Sequence, residues 1–420
     1  MKQAMTTKSV DQSASWRQNV FLVLLVVVAI TLPFKAIYNS VACMLLFFFW
    51  LVLVPKDFRR SRLIAALLQS ALFWLALIGM LYTSDLDEGF FRTQQKALLL
   101  LLPLAIGTAD IAAREIQRWS LSAFVSSTIG ACLFCLADGF HWWWLHGSTE
   151  RFFAHGLVEQ IDLYTYIMAL LCLVSIIILA ATLQRRISMI PLLSNRYVVI
   201  LLLIFLSAFI FLLSVKQIVI AWFLLITLGG WQLLPGKLRW AVVTSAILFL
   251  VLATWLVPAW REKVMEVKDR DRIQLDQDSS LGRNWSGIAL REAIWQCAWD
   301  AIRARPWTGA GTGDGQQVLQ EAYESRKFYF ASQYNRFNAH NQYLQTGVVH
   351  GLLGLLVWLF AIGVLFYLSR SDWLFVSVLA CLCFSMLTES MLETNKGVLI
   401  TAFLLPILTL TSGKFESKTS

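Results

Sequence analysis

Long apolar runs with almost no charge recur along the whole chain, and they restrict its fold more than any other feature. Because 58% of the residues are hydrophobic and 15% are charged, compared with about 45–50% and about 25% in a soluble domain, these runs require lipid as their solvent. Backbone N–H and C=O groups in hydrocarbon must be bonded within their own segment, which favours spanning helices. The period-two pattern of a membrane barrel is absent from the sequence.

The sequence therefore predicts an all-α fold, a polytopic helical membrane protein with about 12 transmembrane helices and one large, mainly helical periplasmic loop. The predicted spans are residues 19–34, 40–54, 63–82, 97–113, 121–137, 163–183, 197–213, 218–234, 240–257, 344–368, 373–387 and 397–411. On this prediction, residues 1–257 hold the N-terminal spans, residues 258–342 form the large periplasmic catalytic loop, and residues 343–420 hold the C-terminal spans and a cytoplasmic tail.

Loop charge predicts the orientation of these spans. With the N-terminus inside, the cytoplasmic connections contain Lys56, Arg59, Arg60, Arg62, Arg114, Arg118, Arg185, Arg186, Arg196, Lys237, Arg239 and Arg370. The short outer loops are poorer in cations, as the positive-inside rule requires. We therefore expect a bacterial inner-membrane protein with both termini in the cytoplasm. Since the net charge of +9 lies mainly in these short loops, it does not indicate nucleic acid as a partner.

A helix is predicted over residues 286–304 of the large loop, with Ile288, Trp295, Ala298 and Ile302 at helical spacing. Arg291 falls on the same stripe. A guanidinium on an apolar face is either paired structurally or directed at an anion, and the sequence leaves both alternatives open. After Pro306, the glycine-rich stretch 309–315 lacks the context of a dinucleotide or Walker motif, so a flexible turn that reverses the chain is the favoured interpretation.

His340 lies where the loop joins the tenth predicted span. At a water–membrane boundary an imidazole is a candidate general base, because it can accept a proton near neutral pH. The alternative is a histidine that only forms hydrogen bonds at the interface. No Cys, His or carboxylate stands near His340 at ligand spacing, so no metal site is predicted.

Charged residues of both signs also occur at the predicted outer ends of the spans. Lys216 separates two apolar spans, where a cation is a candidate functional residue unless it extends to the lipid headgroups. The other members of the group are Lys35, Arg92, Lys96, Glu389, Glu393 and Lys396. A lipid-linked anionic substrate would present its head group at this boundary.

From about residue 214 to 354 the chain resembles the O-antigen ligase and polymerase superfamily. The resemblance rests on Arg291 four residues before Trp295, on the helix that ends at Pro306 with the glycines after it, and on His340-Asn341 followed by Gly351-Leu352-Leu353-Gly354. An earlier family element, which carries an Arg between two spans, matches only loosely at Lys216. Lysine keeps the charge but lacks the bidentate geometry of arginine.

This resemblance implies transfer of O-antigen glycan from undecaprenyl pyrophosphate to the lipid A-core, with no cofactor and no metal. It implies His340 and Arg291 as catalytic residues, and Lys216, Arg291 and Asn341 as binding residues for pyrophosphate or glycan. The chemistry of these side chains fits, since cations stabilise a departing pyrophosphate and an imidazole accepts the proton of an acceptor hydroxyl. Direct displacement would invert the anomeric configuration.

Three other functions remain possible at this point. A polymerase would use the same donor but join glycan repeats, and such relatives tend to have two substantial periplasmic loops, which favours a ligase here. A relative that transfers glycan to protein usually has an extra C-terminal region, which this sequence lacks. A transporter of lipid-linked polysaccharide would need ionisable groups near the membrane midplane, whereas these spans are mostly apolar in their middles.

Overall fold

A computed structural model describes residues 2–184, 186–233, 236–256 and 287–412 of the chain. Within these residues the regular structure is helical, and the β pairing is limited to one isolated bridge between Lys56 and Ala109. The predicted all-α class is therefore confirmed.

The helices of the first half are α1 (Lys2–Thr31), α2 (Ala36–Leu53), α3 (Arg60–Gln69), α4 (Ala71–Gly79), α5 (Leu86–Lys96), α6 (Leu98–Thr108), α7 (Ala113–His146), α8 (Ala154–Val158) and α9 (Thr165–Leu183). Those of the second half are α10 (Pro191–Ser194), α11 (Arg196–Leu213), α12 (Lys216–Leu233), α13 (Gly236–Leu256), α14 (Gly287–Ala304), α15 (Gly315–Ser325), α16 (Gln342–Leu368), α17 (Trp373–Ser385) and α18 (Asn395–Thr409). Single helical turns lie at Glu150–Phe152, Glu159–Ile161 and Met391–Glu393, and a short π-helix at Phe330–Asn335.

Polar residues fix where several helices begin. The side chains of Asp85, Asn195, Asn341, Asp372 and Thr394 each accept a backbone N–H from the first turn of the following helix. Such caps satisfy donors that have no partner within the helix. At Asn341 and Thr394 the cap lies directly beside the candidate site described below.

Several helices are long and apolar enough to cross a membrane, which indicates a membrane protein. In the described residues these are α2, α7, α9, α11 and α16, and a sixth span results if α3 and α4, bent by 55°, are read as one broken span. Each predicted span overlaps a helix. The predicted number of about twelve is not confirmed, because helices such as α6 and α17, with 11 and 13 residues, are short for a bilayer.

The bundle has a buried centre and a lipid-facing rim. In α9, 83% of the apolar window is buried inside the protein, whereas in α2 and α16 the share is 28%. Helix α9 packs against α7, α11, α12 and α17, and the largely buried α18 packs against α3, α6 and α7. An outer helix with a large exposed apolar face is suited to contact with lipid chains.

The described part of the predicted loop packs onto α16. Residues 257–286, which include the first part of that loop, lie outside the described residues. The predicted helix over 286–304 is found as α14, and it forms a second apolar core with α15 and α16. Ile294, Cys297, Tyr323 and Phe328 are buried in this core.

The glycine-rich stretch 309–315, predicted as a flexible turn, lies between α14 and the start of α15 and is held in place by hydrogen bonds. The N–H groups of Ala310 and Gly311 donate to the carbonyls of Val348 and Val349, each at 2.9 Å. Gly351 interrupts α16 with φ 64°, and the Leu352 N–H donates to the Pro306 carbonyl at 2.7 Å. The turn thus supplies hydrogen-bond partners to the broken helix, as a discontinuous helix in a membrane requires.

Candidate active site

Glu389 joins two of the residues that the sequence singled out. Its Oε1 lies 2.5 Å from Nη2 of Arg291, and its Oε2 lies 3.3 Å from Nδ1 of His340. One carboxylate therefore binds Arg291 from α14 and His340 from the start of α16, which are separated from it by 98 and 49 residues.

Two chain segments hold this arrangement together. Residues 338–341 precede α16, which begins at Gln342, and residues 386–394 connect α17 to α18. The Gln342 N–H donates to the Met386 carbonyl at 2.8 Å, and its side-chain Oε1 accepts the Leu392 N–H at 2.7 Å. Paired segments on both sides fix the separation of His340 and Glu389.

The two imidazole nitrogens of His340 differ in their hydrogen bonding. Its Nδ1 faces Glu389, while no hydrogen-bond partner of Nε2 occurs among the described residues. A proton on Nδ1, donated to the carboxylate, leaves the Nε2 lone pair free to accept another proton. The backbone at His340 has φ 42°, a strained value for a residue with a side chain, and its N–H donates to Asn338 Oδ1 at 2.9 Å.

Glu389 is ionised in this setting. Burial opposes its charge, but the hydrogen bond from His340 and the positive charge of Arg291 outweigh burial and lower the pKa of Glu389 below its usual value. A carboxylate in this position orients the imidazole and stabilises the imidazolium that forms after proton transfer.

Arg291 uses some of its N–H donors for contacts with the backbone. Its Nε donates to the Thr388 carbonyl at 3.0 Å and its Nη1 to the Gly287 carbonyl at 3.2 Å, in addition to the contact with Glu389. A guanidinium carries five N–H donors, and the side chain of Arg291 is 32% exposed. Both alternatives from the sequence are thus compatible with the geometry, since Arg291 is paired and still has donors available for an anion.

Asn341 makes structural contacts with both ends of its amide. Its Oδ1 accepts the N–H groups of Tyr343 and Leu344 at 2.9 and 3.1 Å, and its Nδ2 donates to the Leu387 carbonyl at 2.9 Å. The side chain therefore caps α16 and ties it to the segment that carries Glu389. Its predicted role in binding glycan stays a prediction.

Lys216 is half-buried at the start of α12. The next residue, Gln217, donates to the Phe384 carbonyl at 2.7 Å and accepts a hydrogen bond from the Thr388 hydroxyl. Thr388 in turn receives Arg291 on its carbonyl. The beginning of α12 is therefore connected to the segment of Glu389, and the predicted role of Lys216 in binding pyrophosphate stays a prediction.

A polar cavity of about 580 Å³ opens beside this site. Its lining contains Asp85, Glu88, Arg92 and Lys96 around α5, Thr312, Gly313, Gln316 and Gln317 around the start of α15, and Arg336, Asn338, Gln345, Val349 and Glu393. His340 does not line it, but Asn338, which binds the His340 N–H, does. Val349 is the one apolar side chain among these residues.

The charges in the polar cavity are mostly paired. Arg92 binds Glu88 at 2.7 Å, and Lys96 binds Glu393 at 2.8 Å in a buried ion pair. Burial opposes ionisation of Glu393, but Lys96 outweighs it and lowers the pKa of Glu393. Arg336 is exposed, has φ 46°, and its guanidinium has no ion-pair partner among the described residues. Paired charges and amides give the cavity both donors and acceptors, which suits a polyhydroxylated ligand.

Within the described part of the chain, no group of three or more His, Cys, Asp or Glu side chains is arranged to hold a metal ion. The fold and site together define a class of protein, a helical membrane protein with a half-buried Arg–Glu–His cluster that joins α14, the start of α16 and the segment between α17 and α18.

Residues 199–359 match the family model described as O-antigen ligase. Over these residues the match confirms the resemblance to the O-antigen ligase and polymerase superfamily that the motifs predicted. The matched region contains Lys216, Arg291, His340 and Asn341, whereas Glu389 follows it. No curated protein matches the chain.

Sequence reasoning counted Glu389 among the charged residues at the span ends but did not assign it to the site. The available signal was a carboxylate in the short polar segment Thr388-Glu389-Ser390 between two apolar spans. A carboxylate at such a boundary requires a cationic partner, and Arg291 was the cation whose partner the sequence left open.

Proposed function

We propose that this protein is an O-antigen ligase, which transfers O-antigen polysaccharide from undecaprenyl pyrophosphate to the lipid A-core oligosaccharide at the periplasmic face of the inner membrane. The observation that carries the proposal is Glu389, which binds Arg291 and His340 with its two oxygens. The match of residues 199–359 to the O-antigen ligase family model, a family that implies lipid-linked polysaccharide substrates, supports the class of donor.

The reaction is a metal-independent displacement at the anomeric carbon. Nε2 of His340 accepts the proton of an acceptor hydroxyl, while the oxygen of that hydroxyl forms the new bond to the anomeric carbon. The bond from the carbon to the pyrophosphate oxygen breaks, and its electron pair leaves with the pyrophosphate. Attack opposite the leaving group inverts the configuration. Ionised Glu389 stabilises the imidazolium of His340.

Arg291 has two roles in this mechanism. Its contact with Glu389 keeps the carboxylate ionised, and its remaining N–H donors stabilise the charge that grows on the departing pyrophosphate. Lys216 adds a second cation at the start of α12. Asn341 positions His340 through its bonds to α16 and to Leu387.

The polar cavity provides room for the saccharide beside His340. Its mixed donors and acceptors match sugar hydroxyls. The guanidinium of Arg336, which has no ion-pair partner in the described part of the chain, adds a donor for a sugar oxygen or an acidic substituent. Saccharide units near the reacting end of the glycan could occupy this space next to His340. They would not need to carry a charge, because the cavity offers both donors and acceptors.

The test is lipopolysaccharide gel profiling in a host that lacks its own ligase and is supplied with matching donor and core. The intact chain should restore the O-antigen ladder, and His340→Ala should abolish it at equal membrane abundance. His155→Ala is the matched control, since His155 is an exposed histidine in a different segment, Ala154–Val158. A full ladder with His340→Ala would exclude His340 as the base.

The same experiment separates the other functions. If the ladder stays absent while undecaprenyl-linked chains lengthen, the protein is a polymerase that uses the same site. If neither product changes with compatible substrates, the transfer reaction is excluded and a transporter of lipid-linked polysaccharide becomes the better description.

A further inference from the structure

A second cavity lies at the other end of the helical bundle. Its volume is about 870 Å³, and it is enclosed by the ends of α7, α9, α10, α17 and α18. Arg114, Arg186, Ser188 and Ser371 lie at its rim, and the buried Thr182 and Gln117 lie deeper. We call it the basic cavity.

Helix direction separates the basic cavity from the candidate active site. Helix α9 begins near the segment between α17 and α18, where Tyr166 lies within electrostatic range of Glu389, and it ends at the basic cavity with Thr182. Its 19 residues rise roughly 28 Å along the axis. Helix α17 runs the opposite way, from Asp372 in the cavity towards the segment of Glu389.

The chemistry of the basic cavity favours an anion. Neither Arg114 nor Arg186 forms an ion pair within the described part of the chain, although Arg186 interacts electrostatically with Asp372 and its guanidinium lies 6.0 Å from the centre of the Trp373 ring. Asp372 is the single carboxylate among the described lining residues, and its Oδ1 accepts the N–H groups at the start of α17 at 3.0 and 3.3 Å. Two guanidinium groups and the nearby hydroxyls offer a set of donors that matches phosphate oxygens.

The location of the basic cavity restricts the class of ligand further. Cations in short loops also orient spans, and that function alone requires no concave site. Here the guanidinium groups border a concave space together with hydroxyls from four separate chain segments, at the ends of α7 and α9, two helices long and apolar enough to cross a membrane. Basic pockets between spanning helices are known sites for anionic headgroups.

We propose that the basic cavity binds a phosphate group, either that of an anionic lipid headgroup or that of a soluble phosphate ester. Arg114 and Arg186 bind the phosphate oxygens, and the hydroxyls of Ser188 and Ser371 donate further hydrogen bonds. Bound at this place, the ligand would link α7, α9 and α17 at the end of the bundle opposite the active site. The proposal does not depend on which glycan reaction the protein catalyses.

The test uses the full chain in a neutral detergent, with thermal unfolding followed by tryptophan fluorescence. The probes are phosphatidylglycerol, diacylglycerol as the lipid without phosphate, and inorganic phosphate. We expect phosphatidylglycerol to raise the unfolding temperature in a saturable way and diacylglycerol to have no such effect, since ligands that bind the folded state stabilise it. Arg114→Gln with Arg186→Gln should weaken the apparent affinity by about tenfold or more.

Further measurements distinguish a lipid headgroup from a soluble phosphate ester and control for misfolding of a variant. Saturable stabilisation by inorganic phosphate alone, lost in the double Gln variant, would identify a soluble phosphate ester as the ligand class. Arg114→Lys with Arg186→Lys keeps the charge and should bind with intermediate affinity. Arg303→Gln, an exposed arginine in α14, should respond like the wild type. Equal responses of the wild type and both double variants to every probe would overturn the proposal.

Discussion

Nδ1 of His340 and Oε2 of Glu389 lie 3.3 Å apart, and the same carboxylate binds Arg291 through its other oxygen. In the proposed mechanism, the proton that His340 accepts is therefore stabilised by a carboxylate that is ionised before the substrate binds. This relationship leads directly to a test of Glu389.

Glu389→Gln should reduce glycan transfer by about 100-fold while the protein remains folded, because the amide no longer stabilises the imidazolium. Glu389→Asp keeps the charge and should retain more activity than Glu389→Gln. Transfer is measured as the initial rate of ladder formation in proteoliposomes. Glu321→Gln, an exposed carboxylate in α15, is the control and should leave the rate unchanged. Equal rates for wild type and Glu389→Gln would remove Glu389 from the mechanism.

Acid should destabilise the wild type more than Glu389→Gln. The folded protein lowers the pKa of Glu389 relative to the unfolded chain, so this carboxylate contributes stability that is present above its unfolded pKa and lost as the pH falls through the folded value. The effect should appear below about pH 4.3, the usual pKa of a glutamate. The unfolding temperature measured from pH 7 downwards should decrease more steeply for the wild type. Parallel curves of unfolding temperature against pH would contradict a lowered pKa of Glu389, since the other carboxylates are the same in both proteins.

Asp314 anchors the glycine-rich turn to the segment before α5. Its two oxygens accept the N–H groups of Ser84 and Asp85 at 2.7 and 2.9 Å. Asp314→Ala should lower the free energy of unfolding by about 1–3 kcal/mol, since two N–H groups lose a charged acceptor. Thermal unfolding in detergent measures the change, with the exposed Asp87→Ala as the control. A wild-type unfolding temperature for Asp314→Ala would show that the turn does not depend on this anchor.

Two glycines of α16 provide a matched pair. At Gly351, φ is 64° and an added Cβ would lie 2.3 Å from the Trp307 carbonyl oxygen, whereas at Gly363 nothing lies within 4 Å. Gly351→Ala should therefore strongly reduce the amount of folded protein, while Gly363→Ala should be neutral or stabilise by up to about 1 kcal/mol. Size-exclusion profiles of the detergent-extracted proteins measure the outcome. Similar profiles for both variants would mean that α16 tolerates a side chain at residue 351.

Arg336→Gln should weaken substrate binding more than it affects folding. Because the guanidinium faces the polar cavity without an ion-pair partner among the described residues, its loss removes a donor for substrate and leaves no carboxylate unpaired. We expect KM for the donor or acceptor to rise by about tenfold, with an unchanged unfolding temperature. Arg303→Gln again serves as the control. An unchanged KM would exclude Arg336 from the saccharide site.

The sequence predicted the helical class and the membrane helices because apolar runs are local features that depend on neighbouring residues alone. It also located α14 to within one residue at its start. The role of Glu389 escaped prediction, since the contacts that define it join segments 49 and 98 residues apart. The number of spans was not confirmed for a related reason. Breaks such as the 55° bend between α3 and α4 reflect tertiary packing, which hydropathy does not register.

The anchoring of residues 309–314 also affects how relatives of this protein can be recombined. Thr312 donates to the Ala76 carbonyl at 2.7 Å, Gly313 donates to the Thr83 hydroxyl at 2.9 Å, and Ala310 donates to the Val348 carbonyl at 2.9 Å. A chimera that exchanged only residues 258–342 would have to form these contacts again with acceptors contributed by α4, the segment before α5 and α16. An exchange of the loop between members of the matched family therefore keeps these contacts intact when residues 76–85 and 348–351 are exchanged together with it.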